Sequence, residues 1–286
     1  MKFSKYHALG NDYIVIRPAE LKYELSTAVI RQICHRNYGI GSDGILLGPL
    51  DSDCCDFGLR IFNPDGSEAE KSGNGLRIFA RSLWDDHLVG SQRFAVETAG
   101  GVVSCKVTSG GKCVTVEMGE VRFHSTMIPV IGTPREVLNE EIRVDGQSFE
   151  FCAASVGNPH CVVLLDKMLS PEEVRRHGAK IETDPRFPNR INVQFMKALD
   201  RTNVQIEIWE RGAGYTLASG SSATAAAAVA SKLGLCGPDI AVQMPGGNLR
   251  IQLKNGFDAV MTGAVAKICE GALSEEVFGG GDDSRY

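Results

Sequence analysis

Two short serine-glycine segments contain the residues of this sequence best suited to bind a ligand. They read KSGNG at residues 71–75 and ASGSS at residues 218–222, and each stands directly before an apolar helical pattern. The first turn of a helix presents N–H groups without partners inside the helix, together with the positive end of the helix dipole. Small residues let a carboxylate or a phosphate approach these groups closely. The expected anion-binding residues are Ser72, Gly73 and Asn74 in the first segment, and Ser219, Gly220 and Ser221 in the second.

A lone serine before a helix is more often a simple N-cap than part of a ligand site. Here, however, Ser72 and Ser219 stand 147 residues apart (219 − 72), about half of the 286-residue chain, and each opens an unusually apolar helix. This matched placement favours an internal repeat with ligand binding at both helix starts. Neither segment has the Walker pattern or the GxGxxG pattern, so a nucleotide is not the favoured ligand.

The elements that must position these serines are short strands and a few helices. Helical patterns cover residues 26–36, 75–86 and 223–233, and the last two lack a polar face, which is typical of buried helices. Alternating or β-branched runs predict strands at 13–16, 58–62, 94–97, 102–107, 114–118, 161–165, 193–196, 204–209 and 240–244. Polar turns at 98–101 and 108–112 predict two hairpins. Each half would have one central helix wrapped by strands, and halves that face each other would bring both helix starts to one cleft.

Composition narrows the classes of partner. The chain is 43% hydrophobic and 23% charged with a net charge of −5, and it has no run of lysine and arginine, so nucleic acid is not an expected partner. No apolar run approaches the roughly 20 residues that span a bilayer, so no membrane association is expected. Residues 1–16 mix charged, glycine and apolar residues, which is unlike a signal peptide, and we expect a cytoplasmic protein.

The cysteines do not predict a metal site or a disulfide framework. There are nine of them, an odd number, and none has zinc-ligand spacing. We expect most of them to be small buried hydrophobic residues. The chain break between the halves is expected near residues 127–134, with an N-terminal half of 1–127 plus 267–286 and a C-terminal half of 128–266. The glycine- and aspartate-rich tail, 279–286, is expected to be disordered.

Ordered motifs along nearly the whole chain resemble those of the diaminopimelate epimerase family, within the cofactor-independent amino-acid racemase superfamily. The first half supplies FSKYHALGNDY (3–13), GIGSDG (39–44) and NPDGSE (63–68). The second supplies SVGNPHC (155–161), RINV (190–193), ERGAG (210–214), PGG (245–247) and MTG (261–263). The resemblance implies an α/β (α+β) fold of two pseudo-symmetric halves, each a β-barrel-like sheet wrapped around a central helix, with the active site in the cleft between them.

The resemblance also implies a reaction. In the family, two cysteines on opposite sides of the substrate α-carbon remove and return the α-proton, while the two helix starts hold the α-carboxylate and stabilise the carbanion-like transition state. No cofactor, pyridoxal phosphate or metal is implied. The expected ligand is a small amino acid, and a homodimer is compatible with the sequence.

This sequence departs from the family at the two decisive positions. Serine stands where both catalytic cysteines are expected, at Ser72 and Ser219, and a hydroxyl acts as a base or nucleophile only when another group takes its proton. Tyr215 replaces a usual glutamate and Asp184 replaces a common histidine.

The substrate-binding residues that the family implies are present. They are Asn11, Asn63, Asn158, Asn192, Glu210 and Arg211. Arg211 can grip a carboxylate with two parallel hydrogen bonds, although a surface salt bridge is its alternative role. His160 and Tyr215 are candidates for residues behind the substrate contacts, and a satisfied core histidine is the alternative for His160.

Three functions fit these residues. The first is an epimerase of the diaminopimelate type. Its two serines are consistent with engineered replacement of the catalytic cysteines, whereas Tyr215 and Asp184 favour natural divergence. The second is a lyase that eliminates water from a hydroxylated amino acid, because such a reaction needs one residue to remove the α-proton and none to return it to carbon. The third is an amino-acid-binding protein that has lost its chemistry.

Overall fold

The computed structural model describes residues 1–21 and 24–279, so most of the tail that is predicted to be disordered lies outside the described residues. The chain divides into two compact units. The first unit consists of Met1–Val116 and, among the described residues, 263–279, and the second of Glu117–Thr262. The strands at 113–120 and 258–264 cross these boundaries, and each is described with the unit that contains the preceding strand. The expected boundaries, after residues 127 and 266, lie 11 and 4 residues further along the chain (127 − 116 and 266 − 262). No helix in the described ranges is both long and apolar enough to span a membrane.

The first unit consists of one sheet and three helices. Its strands are β1 (Lys2–Ala8), β2 (Asn11–Ile16), β3 (Ile45–Leu50), β4 (Phe57–Phe62), β5 (Glu68–Ala69), β6 (Arg93–Thr98), β7 (Gly101–Thr108), β8 (Cys113–Glu120) and β18 (Ala266–Ala272); its helices are α1 (Thr27–Cys34), α2 (Gly73–Asp85) and α5 (Glu276–Gly279). The strands pair in the order β18-β1-β2-β3-β4-β6-β7-β8. The β2–β3 and β4–β6 pairs are parallel and the others antiparallel, while β5 forms a short hairpin with β4.

The second unit repeats this plan. Its strands are β9 (Glu140–Val144), β10 (Gln147–Ser155), β11 (Pro159–Leu164), β12 (Asn192–Ala198), β13 (Asn203–Glu210), β14 (Gly214–Thr216), β15 (Asp239–Met244), β16 (Gly247–Leu253) and β17 (Asp258–Ala264); its helices are α3 (Pro171–Glu182) and α4 (Gly220–Lys232). The order is β9-β10-β11-β12-β13-β15-β16-β17, again with parallel pairs at the third and fifth positions, β11–β12 and β13–β15. The predicted internal repeat is therefore present in the strand pairing itself.

Each parallel pair is joined by a crossover that contains a helix, as parallel strands require. α1 joins β2 to β3 and α3 joins β11 to β12, whereas α2 and α4 precede β6 and β15. Side chains alternate between the two faces of a strand, so Ile45 and Leu47 of β3 join the core around α1, whereas Leu46 reaches α2. A Cβ added to Gly75 would lie 3.2 Å from the Leu46 side chain, so glycine lets α2 pack this closely.

α2 and α4 are the buried central helices of their units. Thirteen residues form each one, and nearly all the residues of α4 from Ser222 to Ala230 are inaccessible. The alanines of α4 leave little volume, which lets β10 to β13, β15 and β16 all pack against it. Both helices begin earlier than the apolar pattern predicts, at Gly73 and Gly220, because small polar residues form their first turns.

The mixed α/β fold and each predicted strand and hairpin are confirmed. α3 was not predicted, because most of its residues are polar and only two aliphatic residues, Val174 and Ile181, are buried. Its start was nevertheless visible in the sequence, since Ser170 and Glu173 form a capping box.

Candidate active site

Ser72 caps α2 and lies beside two other polar side chains. Its backbone is extended (φ −137°, ψ 117°), and its Oγ accepts a hydrogen bond from the Gly75 N–H at 3.0 Å. The Tyr13 hydroxyl lies 3.3 Å from the same oxygen. Two residues on, the Asn74 side chain donates to Asn11 Oδ1 at 3.0 Å. The helix start, Ser72 and Asn11 are thus parts of one hydrogen-bonded group.

A charged cluster fixes the orientation of Asn11. Its Nδ2 donates to Asp43 Oδ2 at 2.8 Å, so the amide oxygen must face Asn74. Arg36 donates to both Asp43 and the buried Asp12, and Lys5 pairs with Asp12 at 2.8 Å. Burial alone would raise the pKa of Asp12, but the hydrogen bonds from Arg36 and Lys5 hold it below its ordinary value, so this carboxylate stays ionised.

Ser219 caps α4 in the same way. Its backbone angles are φ −145° and ψ 128°, and its Oγ accepts from the Ser222 N–H at 3.4 Å. Asn158 donates to Ser221 Oγ at 3.4 Å, as the counterpart of the Asn11–Asn74 contact. Both asparagine contacts join residues 63 positions apart. The repeat therefore extends from the strands to the side chains that surround the two helix starts.

Glycine in the left-handed region places both asparagines. Gly10 has φ 88° and Gly157 has φ 91°, and each stands directly before its asparagine in the hairpin turn that joins two strands. Residues with a Cβ rarely adopt this conformation. The turn glycines thus direct Asn11 and Asn158 toward the helix starts.

A buried polar group lies behind the start of α4. His160, Gln194 and Ser222 are all fully buried. The His160 Nε2 lies 2.9 Å from Asn158 Oδ1, and Gln194 donates to Ser222 Oγ at 3.0 Å. Burial lowers the pKa of His160 to about 3, opposed by the Gln194 side chain, so this imidazole is neutral at pH 7. His160 is therefore both a buried histidine and the direct support of Asn158.

Asn192, Glu210 and Arg211 meet where β13 ends. Asn192 is buried, donates to the Pro159 carbonyl at 2.9 Å and accepts from the Arg211 N–H at 3.0 Å. The exposed Arg211 guanidinium donates to the Asn189 carbonyl at 2.9 Å, and it forms no ion pair with the described residues. Glu210 is half-buried at the last position of β13. Asn192 thus holds the turn that presents Arg211.

Two of the predicted residues make their contacts elsewhere. Tyr215 donates to Glu207 at 2.7 Å and stacks under Arg175 of α3, so its side chain lies on the α3 side of the sheet and not with the serine cap. Asn63 is half-buried in the β4–β5 turn, where it donates to Ser67 Oγ at 2.9 Å. Tyr13, Gln194 and Ser222 were not predicted as site residues, although Tyr13 lies in the first motif and Ser222 in the second helix start.

The two serine hydroxyls have no strong proton acceptor as a hydrogen-bond partner within the described ranges. The partners of Ser72 Oγ and Ser219 Oγ are backbone N–H groups and the hydroxyls of Tyr13 and Ser221. The cysteines do not substitute for them. Burial raises the pKa of Cys34, Cys152, Cys161 and Cys236, and Cys161 belongs to the hydrophobic core of the second unit. No cluster of metal-ligating side chains occurs in the part of the chain that the structure describes. This arrangement can bind an anion, but it does not activate a hydroxyl.

Sequence comparisons match nearly the full length of the chain to one family of proteins. The family model described as "Diaminopimelate epimerase" matches residues 3–124 and 152–268. "Diaminopimelate epimerase 2" from Nostoc sp. is 62% identical over 278 residues, which are 97% of each chain. "Diaminopimelate epimerase" from Nitrosomonas europaea is 40% identical over 275 residues, 96% of this chain and 98% of that protein.

Solved structures share the fold at low sequence identity. A hydroxyproline epimerase from Agrobacterium vitis, with bound trans-4-hydroxy-L-proline, has a TM-score of 0.68 at 17% identity and covers 96% of this chain and 90% of its own. A Bacillus anthracis phenazine biosynthesis protein of the PhzF family has a TM-score of 0.67 at 14% identity, with 96% and 99% covered. The fold is thus one that epimerases use, and the sequence matches along nearly the full length show that this chain belongs to the diaminopimelate epimerase family.

Proposed function

We propose that this chain is a cofactor-independent epimerase that acts on diaminopimelate, with Ser72 and Ser219 at the positions where the family places its two proton-transferring cysteines. One observation carries the proposal. Both central helices start with a serine cap, small residues and an asparagine contact of the same spacing. A helix start of this kind is suited to binding a carboxylate, and the chain contains two of them. We infer diaminopimelate as the substrate because the relatives are named diaminopimelate epimerases.

The backbone N–H groups of the first helical turns carry the electrostatic part of the reaction. Gly73 and Asn74 follow the cap in α2, and Gly220 and Ser221 follow it in α4. Donors fixed in advance, at the positive end of a helix dipole, stabilise the negative charge that develops when the α-proton leaves. This contribution depends on the backbone and is retained whether the cap is serine or cysteine.

The remaining proposed contacts hold the far end of the substrate. Arg211 can bind a carboxylate with two hydrogen bonds, and Glu210 can accept from an ammonium group. Asn11, Asn63 and Asn158 supply amide groups, and Asn63 would exchange its hydrogen bond to Ser67 for one to the substrate. In the structure, Asn192 uses both ends of its amide on backbone groups, so its contribution is to position Arg211.

In the proposed reaction, proton transfer is the slow step. A thiol has a pKa of about 8.5, which a helix N-terminus lowers further, whereas a hydroxyl needs a neighbouring base. Neither serine has one as a described hydrogen-bond partner. We therefore expect slow exchange of the α-proton in this protein and a large gain when thiols are introduced.

The test follows loss of the α-proton signal of LL-diaminopimelate by NMR in deuterated water. The proteins compared are the natural chain, Ser72→Cys, Ser219→Cys and the double variant, with Ser170→Cys as the matched control because Ser170 caps α3 instead. We expect the double variant to exchange at least about a hundredfold faster than the natural chain, since general acid–base groups contribute that much. No exchange by any variant, together with no ligand-induced thermal shift, would refute the proposal.

A binding protein without turnover is the second candidate, and the hydrogen-bond partners of the two serine hydroxyls favour it. Thermal stabilisation of the natural chain by LL-diaminopimelate, with no exchange over days, would support this candidate. Release of an oxoacid from a hydroxylated amino acid would instead identify a lyase. We further propose a homodimer, which light scattering of the purified chain would test.

A further inference from the structure

Arg77 is a fully buried arginine at the fifth position of α2, and it is the largest of the completely inaccessible side chains. Its Nη1 donates to the Ala264 carbonyl at 3.3 Å, and its Nη2 donates to Asn74 Oδ1. Its Nε has no hydrogen-bond partner among the described residues. The guanidinium therefore lies under the start of α2, and its Nε nitrogen has no described partner.

No carboxylate lies within ion-pair distance of Arg77 in the described part of the chain. Burial lowers the pKa of Arg77 to about 10, opposed by the nearby Cys113 thiol, so the group is still charged at pH 7. A buried charge without a partner is strongly unfavourable, and buried charges in proteins are normally paired. The free protein therefore lacks the counter-charge that this guanidinium needs.

Arg81, one turn further along α2, has a carboxylate partner for its charge. Arg81 also donates to backbone carbonyls, those of Gly111 and Val265, but its Nε pairs with Asp85 at 2.9 Å. The second unit shows the opposite case. Thr224 is the fifth residue of α4, and its hydroxyl donates to the Gly220 carbonyl, so this position of α4 carries no charge.

We propose that Arg77 is a positioning residue whose buried charge makes the start of α2 selective for an anion, so that the substrate carboxylate becomes its counter-ion through Asn74. This inference rests on the proposed function and names the helix start at which the negative charge is compensated. Asn74 connects the two groups, since it accepts from Arg77 and belongs to the first turn of the helix. Asn11 keeps that amide in place from the other side.

The experiment measures binding of LL-diaminopimelate and of its diamide, which has no carboxylate but keeps both ammonium groups, by calorimetry to the full chain. Arg77→Gln removes the charge but keeps a hydrogen-bond donor, Arg77→Lys keeps the charge, and Arg81→Gln is the matched control. We expect Arg77→Gln to bind the acid about ten to fifty times more weakly, which corresponds to a charge about one helical turn away in a medium of intermediate dielectric. Arg77→Lys should stay within about threefold of the natural chain, and Arg81→Gln should be unchanged. The diamide, which has no carboxylate, should bind Arg77→Gln at least as tightly as it binds the natural chain.

Three other binding results would overturn the role of Arg77 or the proposed function. Equal binding of the acid by the natural chain and Arg77→Gln overturns the role of Arg77 and leaves the proposed function standing. Binding by Arg77→Lys as weak as by Arg77→Gln shows that charge is not the determinant and also overturns it. No binding to the natural chain overturns the proposed function and this inference together. Thermal unfolding without ligand checks each fold, and Arg77→Met is a second neutral variant should Arg77→Gln not fold.

Discussion

Acidification should weaken the fold through His160, and the size of the effect can be worked out. His160 is completely inaccessible, and burial lowers its pKa to about 3 in the folded chain, against about 6.5 in an unfolded one. The folded state therefore prefers the neutral imidazole. Its contribution to stability is fully present above pH 6.5 and is lost as the pH falls toward 3.

The loss follows from proton linkage at about 1.4 kcal/mol per pH unit. Between about pH 6.5 and pH 4.5 the unfolded chain takes up a proton at this residue that the folded chain does not, which lowers the free energy of unfolding by roughly 3 kcal/mol. That is a large fraction of the 5–15 kcal/mol typical of a folded domain.

Urea unfolding at pH 7.5 and pH 4.5, followed by circular dichroism, measures this loss. The proteins compared are the natural chain, His160→Gln and His124→Gln, the last a control at an exposed histidine. Each carboxylate titrates in all three proteins, so its effect cancels when the pH-dependent losses are subtracted. We expect the loss in His160→Gln to be smaller by about 2–3 kcal/mol than in the other two. An equal loss in all three proteins would refute the argument that this imidazole is held neutral by burial.

Three further predictions concern the caps, the Arg211 turn and the thiols. Ser72→Ala and Ser219→Ala should each lower the free energy of unfolding by about 1 kcal/mol in denaturant titrations, because a helix N–H loses its acceptor, and an unchanged midpoint would contradict the capping geometry. Asn192→Ala should cost roughly 2 kcal/mol by the same measurement, since the Arg211 N–H and the Pro159 carbonyl both lose their partner. Cys54 and Cys269 are exposed and should react with a thiol reagent in the folded protein, whereas Cys152 and Cys161 should react only after unfolding; rapid labelling of the last two would show that the core of the second unit opens.

Local signals in the sequence predicted much of the fold. Alternating residues located the strands, and the turns at Thr98–Gly101 and Thr108–Cys113 formed the expected hairpins. The spacing of Ser72 and Ser219 predicted the repeat, because the two serines lie about half a chain length apart and each precedes an apolar helix. α3 was missed because the signal of its single buried stripe is weak beside its many charged residues.

The supports of the candidate site were harder to predict, because they depend on contacts between residues far apart in the chain. Gln194 of β12 reaches Ser222 of α4, and Asp43, just before β3, holds Asn11 at the start of the neighbouring β2. Tyr215 shows the converse. Its place in a glycine-rich motif suggested the site, but strand alternation puts it beside Trp209 and under Arg175. Motif position does not determine which face of a sheet a side chain occupies.

The two helix starts share a backbone and differ in what lies beneath it. Under α2 lies a buried guanidinium, and Asn11 is oriented by a network of carboxylates and cations. Under α4 lie a neutral imidazole, an amide and hydroxyls. We therefore expect an anion at the first helix start to gain a buried counter-charge, whereas the buried side chains under the second are neutral and its nearby cation, Arg211, is exposed. The repeat gives both units a serine-capped helix start of the same form, and the asymmetry predicts that replacing a cap should matter less to binding than removing the charge at Arg77.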